Sequence, residues 1–109
     1  MIEKRQFYIN GKWIDSIDGT DHYVINPSTE EPIATVCLAG KADVDKAVSA
    51  AKAALREWMA FPISKRIELV EKLYALYKRR AEDLSQAMSL EMGAPIDMAR
   101  TQQVGAGLG

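Results

Sequence analysis

The stretch ADVDKAVSAAKAALREWMAFPISKRIELVEKLYALYKRRAEDLSQAMSLEM, Ala42–Met92, decides the fold class. Val44, Ala47, Val48, Ala51, Leu55, Trp58 and Met59 recur at helical spacing, so one apolar face runs along a first helix over residues 42–60. Asp43 is placed as its N-cap, since a short side-chain oxygen can satisfy the free amides of a first turn. Five alanines between Ala47 and Ala54 favour helix intrinsically and allow a close backbone approach. Pro62 interrupts the run and Ser64 offers a new cap. Ile67, Val70, Leu73, Tyr74, Tyr77, Ala81, Leu84 and Met88 then continue the rhythm over residues 64–92, without a Gly or Pro. A helix of that length exceeds the usual three to four turns, so a bend or restart is expected near Arg80-Ala81-Glu82-Asp83. Gly93 supplies a left-handed stop, and Pro95 suits the first turn of a third helix over 95–106.

Upstream lies a β arm, residues 6–39. Asn10-Gly11 between Phe7-Tyr8-Ile9 and Trp13-Ile14 is a strong hairpin signal, because both residues tolerate the positive φ of a type I′ turn. His22-Tyr23-Val24-Ile25 reads as a further strand. The proline-bracketed turn Asn26-Pro27-Ser28-Thr29-Glu30-Glu31-Pro32 leads to another, Ile33 to Leu38. Gly40 ends that strand. So short an arm has little core of its own and needs a surface to pack on. The fold class is therefore α/β: short β-hairpin strands followed by three to four helices.

Composition bounds the function. In 109 residues, hydrophobic content is 48% and charged content 27%, ordinary for one small globular unit. A net charge of -1 gives no drive toward nucleic acid or anionic lipid, and Lys78-Arg79-Arg80 reads as a solvated helix face. No apolar run approaches the roughly 20 residues a membrane span requires, and the mixed-charge start Met1-Ile2-Glu3-Lys4-Arg5 lacks a signal-peptide core. A single cysteine builds no disulfide framework, which suits a reducing, cytoplasmic setting.

No residue of the chain is assigned to catalysis, cofactor binding or a metal. Cys37 lies in the apolar strand Ala34-Thr35-Val36-Cys37-Leu38, where cysteine behaves as a small hydrophobe rather than a thiolate. His22 is the only histidine, beside Asp21 at a strand start, with no visible partner for base catalysis and no second imidazole for a metal. Gly105-Ala106-Gly107-Leu108-Gly109 has G-x-G-x-G spacing and no following helix, so it does not match a dinucleotide loop. The carboxylates Glu30-Glu31, Asp43/Asp45 and Glu82-Asp83 fall in turns and first helical turns, where they cap and complement the helix dipole. Trp13, Trp58, Tyr74 and Tyr77 are expected in core or interface packing.

Several short motifs, read in order, resemble the N-terminal portion of the aldehyde dehydrogenase superfamily. Tyr8-Ile9-Asn10-Gly11-Lys12-Trp13 is similar to the family's opening (F/Y)-I-(N/D)-G-x-W hairpin. Asn26-Pro27-Ser28-Thr29-Glu30-Glu31-Pro32-Ile33 is similar to its N-P-(A/S)-T-x-x-x-I turn. Asp43-Val44-Asp45-Lys46-Ala47-Val48-x-Ala50-Ala51 with Trp58, then Arg66-x-x-x-Val70-x-x-x-Tyr74 and Glu91-Met92-Gly93-Ala94-Pro95, resemble the first two helices and their exit.

The resemblance implies that residues 1–109 form the N-terminal segment of a Rossmann-type cofactor-binding domain. It implies an NAD- or NADP-dependent parent that oxidises an aldehyde to a carboxylic acid. There a cysteine thiolate attacks the carbonyl, amide donors hold the oxyanion, hydride passes to nicotinamide and a glutamate activates water. Those residues belong downstream of Gly109, so the segment is expected to bind no cofactor and to be inactive. Some members hold a monovalent cation through backbone carbonyls, here at Val24 and Ile25, with a side-chain ligand from the third helix. Gln103 is the nearest by spacing, where an acidic residue is commoner. The parent is expected to be a homodimer or homotetramer. The helix-to-glycine ending suggests a cut within the family's third helix. The alternative is a stand-alone helical interaction module that binds a partner through its Leu/Tyr/Met stripe.

Overall fold

The computed structural model describes residues Met1–Gly109. Five short strands are followed by helices, a mixed α/β arrangement as the sequence indicates. The strands are β1 (Ile2–Lys4), β2 (Phe7–Ile9), β3 (Lys12–Ile14), β4 (Thr20–Ile25) and β5 (Pro32–Leu38). The helices are α1 (Lys41–Ala60), α2 (Ile63–Arg79) and α3 (Ala81–Met92), then two single turns, α4 (Ile96–Met98) and α5 (Val104–Ala106), flanking a π-helical turn (Ala99–Gln103). The chain divides into two units: Met1–Val24 with Pro32–Phe61, and Ile25–Glu31 with Pro62–Gly109.

In the first unit, β2 and β3 form the antiparallel hairpin, with Tyr8 opposite Trp13 and Ile9 opposite Lys12. Asn10 (φ 54°) and Gly11 (φ 76°) take the two positive-φ positions that a type I′ turn requires. The Tyr8 and Trp13 rings meet at 5.3 Å. A second sheet has the order β1-β5-β4, with β1 parallel to β5 through Ile2–Ala34, Glu3–Thr35 and Lys4–Val36. The sequence reading did not anticipate β1. Its three residues are exposed and mixed in charge, and their partner lies some thirty positions away, so no local pattern marks them. Arg5, just past this strand, pairs with Glu3 at 2.7 Å and Asp21 at 3.1 Å.

Helix α1 starts one turn earlier than Asp43 would place it. Gly40 is the N-cap and Asp43 stands at the third helical position, reaching back to accept the Gly40 N–H at 3.2 Å. A carboxylate there caps the amide of Gly40 itself, while the first-turn amides of Ala42 and Asp43 are taken by Asp18.

In the second unit, the turn after β4 closes with Asn26 N–H to Glu31 C=O at 3.0 Å and Glu30 N–H to Asn26 C=O at 2.8 Å. The Asn26 side chain accepts from Ser28 N–H at 2.8 Å, an Asx turn. Pro62, not Ser64, is the N-cap of α2, and Ser64 lies inside the helix. The long helical run breaks at Arg80 (φ −104°, ψ 11°), where a restart was expected. Gly93 ends α3 in the left-handed region (φ 73°); a β-carbon there would also stand 2.8 Å from the Pro27 ring. The expected third helix is not continuous. Pro95 precedes it as N-cap, and the π turn widens it between α4 and α5.

Buried apolar side chains are few: Ile9 in the first unit, Ala99 and Val104 in the second. By contrast Val44, Val48, Leu55 and Met59 on α1, and Ile63, Ile67, Val70 and Leu73 on α2, are exposed. Trp13, Trp58 and Tyr74 are exposed as well, so of the core or interface packing expected of them they do not form a core.

Candidate functional site

Two polar networks hold the local structure, one in each unit, and neither carries a nucleophile. At the start of α1, Asp43 is 2% exposed. Its carboxylate accepts the Ile17 N–H at 2.7 Å, the Ser16 hydroxyl and the Gly40 N–H. Ser16 Oγ in turn accepts the Gly19 N–H at 2.7 Å. Asp18 completes the arrangement by accepting the Ala42 and Asp43 N–H groups at 2.9 and 3.2 Å. The Ile17 amide, then the Ser16 hydroxyl, hold the Asp43 carboxyl below the usual carboxylate range. Gly19 and Gly40 are needed here because the Ser16 and Asp18 side chains occupy the space a β-carbon would take. The network is a double cap that binds the loop after β3 to the helix. Sequence reasoning named Asp43 but not its partners, which lie 25 to 27 residues upstream.

In the second unit, Arg100 donates to Glu82 from Nε at 2.9 Å and Nη2 at 2.7 Å, while Gln86 donates at 2.9 Å. The Arg100 hydrogen bonds, then that of Gln86, hold the Glu82 carboxyl at about 2. Glu82 therefore does more than complement a helix dipole: it ties α3 to the π turn. The Tyr77 hydroxyl donates to Val104 C=O at 2.9 Å and lies directly against Gly107.

Cys37 is half-buried, with its thiol beside Leu38 C=O and no histidine or cation paired with it. His22 is exposed on β4. No three acidic, histidine or cysteine side chains converge as metal ligands. Gln103 Oε1 is buried without a hydrogen-bond partner, but one neutral amide oxygen makes a poor cation anchor by itself. The glycine-rich end does not fit a dinucleotide. A phosphate cradle presents free amides at a helix N-terminus. Here Gly107 is backed by the Tyr77 ring, and the amides of Gly107 and Leu108 are spent on Val104 and Gly105 carbonyls.

One depression is polar, lined by Glu3, Lys4, Arg5, Gln6 and Trp13, and others are largely apolar. A depression of about 320 Å³ opens between the hairpin and α1, lined by Phe7, Ile9, Val44, Ala47 and Val48. On α2, Ile63, Ile67 and Val70 line another of about 380 Å³, with Arg66 and Glu71 at its edge. Such largely apolar lining suits contact with apolar polypeptide. No helix is long and apolar enough to cross a membrane.

Comparison with known proteins places these features. The model of the aldehyde dehydrogenase family matches residues 13–108. A Staphylococcus saprophyticus protein, provisionally named an aldehyde dehydrogenase, is 41% identical over 101 residues, covering 93% of this chain and 21% of the relative. The crystal structure of an aldehyde dehydrogenase from Bartonella henselae superposes with a TM-score of 0.95 at 45% identity, over 99% of this chain and 23% of that one. A mutant of aldehyde dehydrogenase C from Pseudomonas syringae, in complex with NAD+ and octanal, gives 0.92 at 40% identity, over 95% and 21% of the two chains. The chain thus spans about a fifth of the length of the curated relatives it matches.

Proposed function

The chain belongs to the aldehyde dehydrogenase family, and we propose that its 109 residues are the N-terminal scaffold of a cytoplasmic NAD- or NADP-linked enzyme that oxidises an aldehyde to its carboxylic acid. The scaffold's task is to present strands and helices against which the cofactor-binding domain packs. Thiolate attack, oxyanion stabilisation, hydride transfer and water activation are the work of other parts of such an enzyme. The structural neighbour complexed with NAD+ and octanal supports NAD and an apolar aldehyde as reactants of the kind of enzyme this scaffold serves.

The observation that carries the reading is the set of uncovered apolar faces on α1 and α2. Burying one isoleucine or leucine side chain is worth about 1.5–3 kcal/mol. Faces built from Val48, Leu55, Ile67 and Val70, yet left exposed, gain that stabilisation only against another surface. The small buried core favours the same reading, since a unit with so few buried apolar side chains has little to hold it together.

The test uses the 109-residue chain itself. It should show no NAD- or NADP-linked oxidation of octanal, should bind a hydrophobic dye, and should melt without a sharp transition. Measurable turnover by the verified chain would overturn the scaffold reading. A cooperative melt without dye binding would instead favour a stand-alone interaction module.

A further inference from the structure

We draw no further inference here: the strongest candidate, the uncovered apolar stripe of α2 formed by Ile63, Ile67, Val70 and Tyr74, carries nothing beyond the reading already proposed, because nothing in the structure shows what covers it.

Discussion

One stripe of α2 is treated in two ways along its length. At its far end Tyr77 is half-buried, its hydroxyl bound to Val104 C=O and its ring against Gly107. Three to fourteen residues earlier, Ile63, Ile67, Val70 and Tyr74 follow the same spacing and lie open to solvent. Periodicity is identical at both ends, so it specifies which face is apolar and says nothing about whether that face is covered. Covering depends on a second segment. At Tyr77 that segment is the chain's own π turn and α5; over the rest of the stripe none of the described residues supplies it.

Substitutions can break this contrast. The largest effect is expected at the closed end. Gly107→Val places a branched side chain where the Tyr77 ring already sits, and overpacking of this kind costs about 1–3 kcal/mol. Amide exchange at Val104 and Leu108 should quicken sharply; unchanged protection would mean that the Tyr77 contact does not hold the end in place. Tyr77→Phe keeps the ring and removes only the hydroxyl, so a smaller loss of about 1 kcal/mol is expected at the same amides.

Acid should loosen this unit in a defined window. The Glu82 carboxyl is lowered from 4.5 to about 2, so its contribution is complete above 4.5 and disappears as pH falls toward 2. Helical signal from far-ultraviolet circular dichroism should decline across that interval. Glu82→Gln should flatten the decline, and an unaltered slope in that variant would remove the Arg100 pair from the account. At the open end the effect should be smallest. Ile67→Glu and Val70→Glu lie on exposed positions and should leave the isolated chain's helical signal nearly unchanged, while lowering its dye binding. A large loss of helical signal would show that this stretch is already covered in solution.

Much of the local structure was legible from residue type. Asn10-Gly11 reads as a hairpin turn because few other pairs accept two positive φ values, and the structure gives both. Gly93 reads as a helix stop for the same steric reason. The restart at Arg80 follows from the length of an uninterrupted helical run. What escaped the sequence involves partners far along the chain. Strand β1 exists only because β5 accepts it, and three mixed-charge residues carry no periodicity of their own. Asp43 looked like a cap from its position beside a helix. Its actual place, one turn inside and bound to Ser16 and Ile17, is set by a loop that only folding brings near. Of the candidate site, the family motifs were readable, because each is a short run of neighbouring residues.

The sequence by itself determined the hairpin turn, the stop at Gly93 and the two long helical runs, because glycine tolerance and apolar spacing act over a few residues. Only the tertiary structure decided which apolar faces are closed and which stay open, and which carboxylate meets which donor. Those outcomes depend on chain segments meeting across long separations, and an apolar stripe carries the same spacing whether or not anything lies against it.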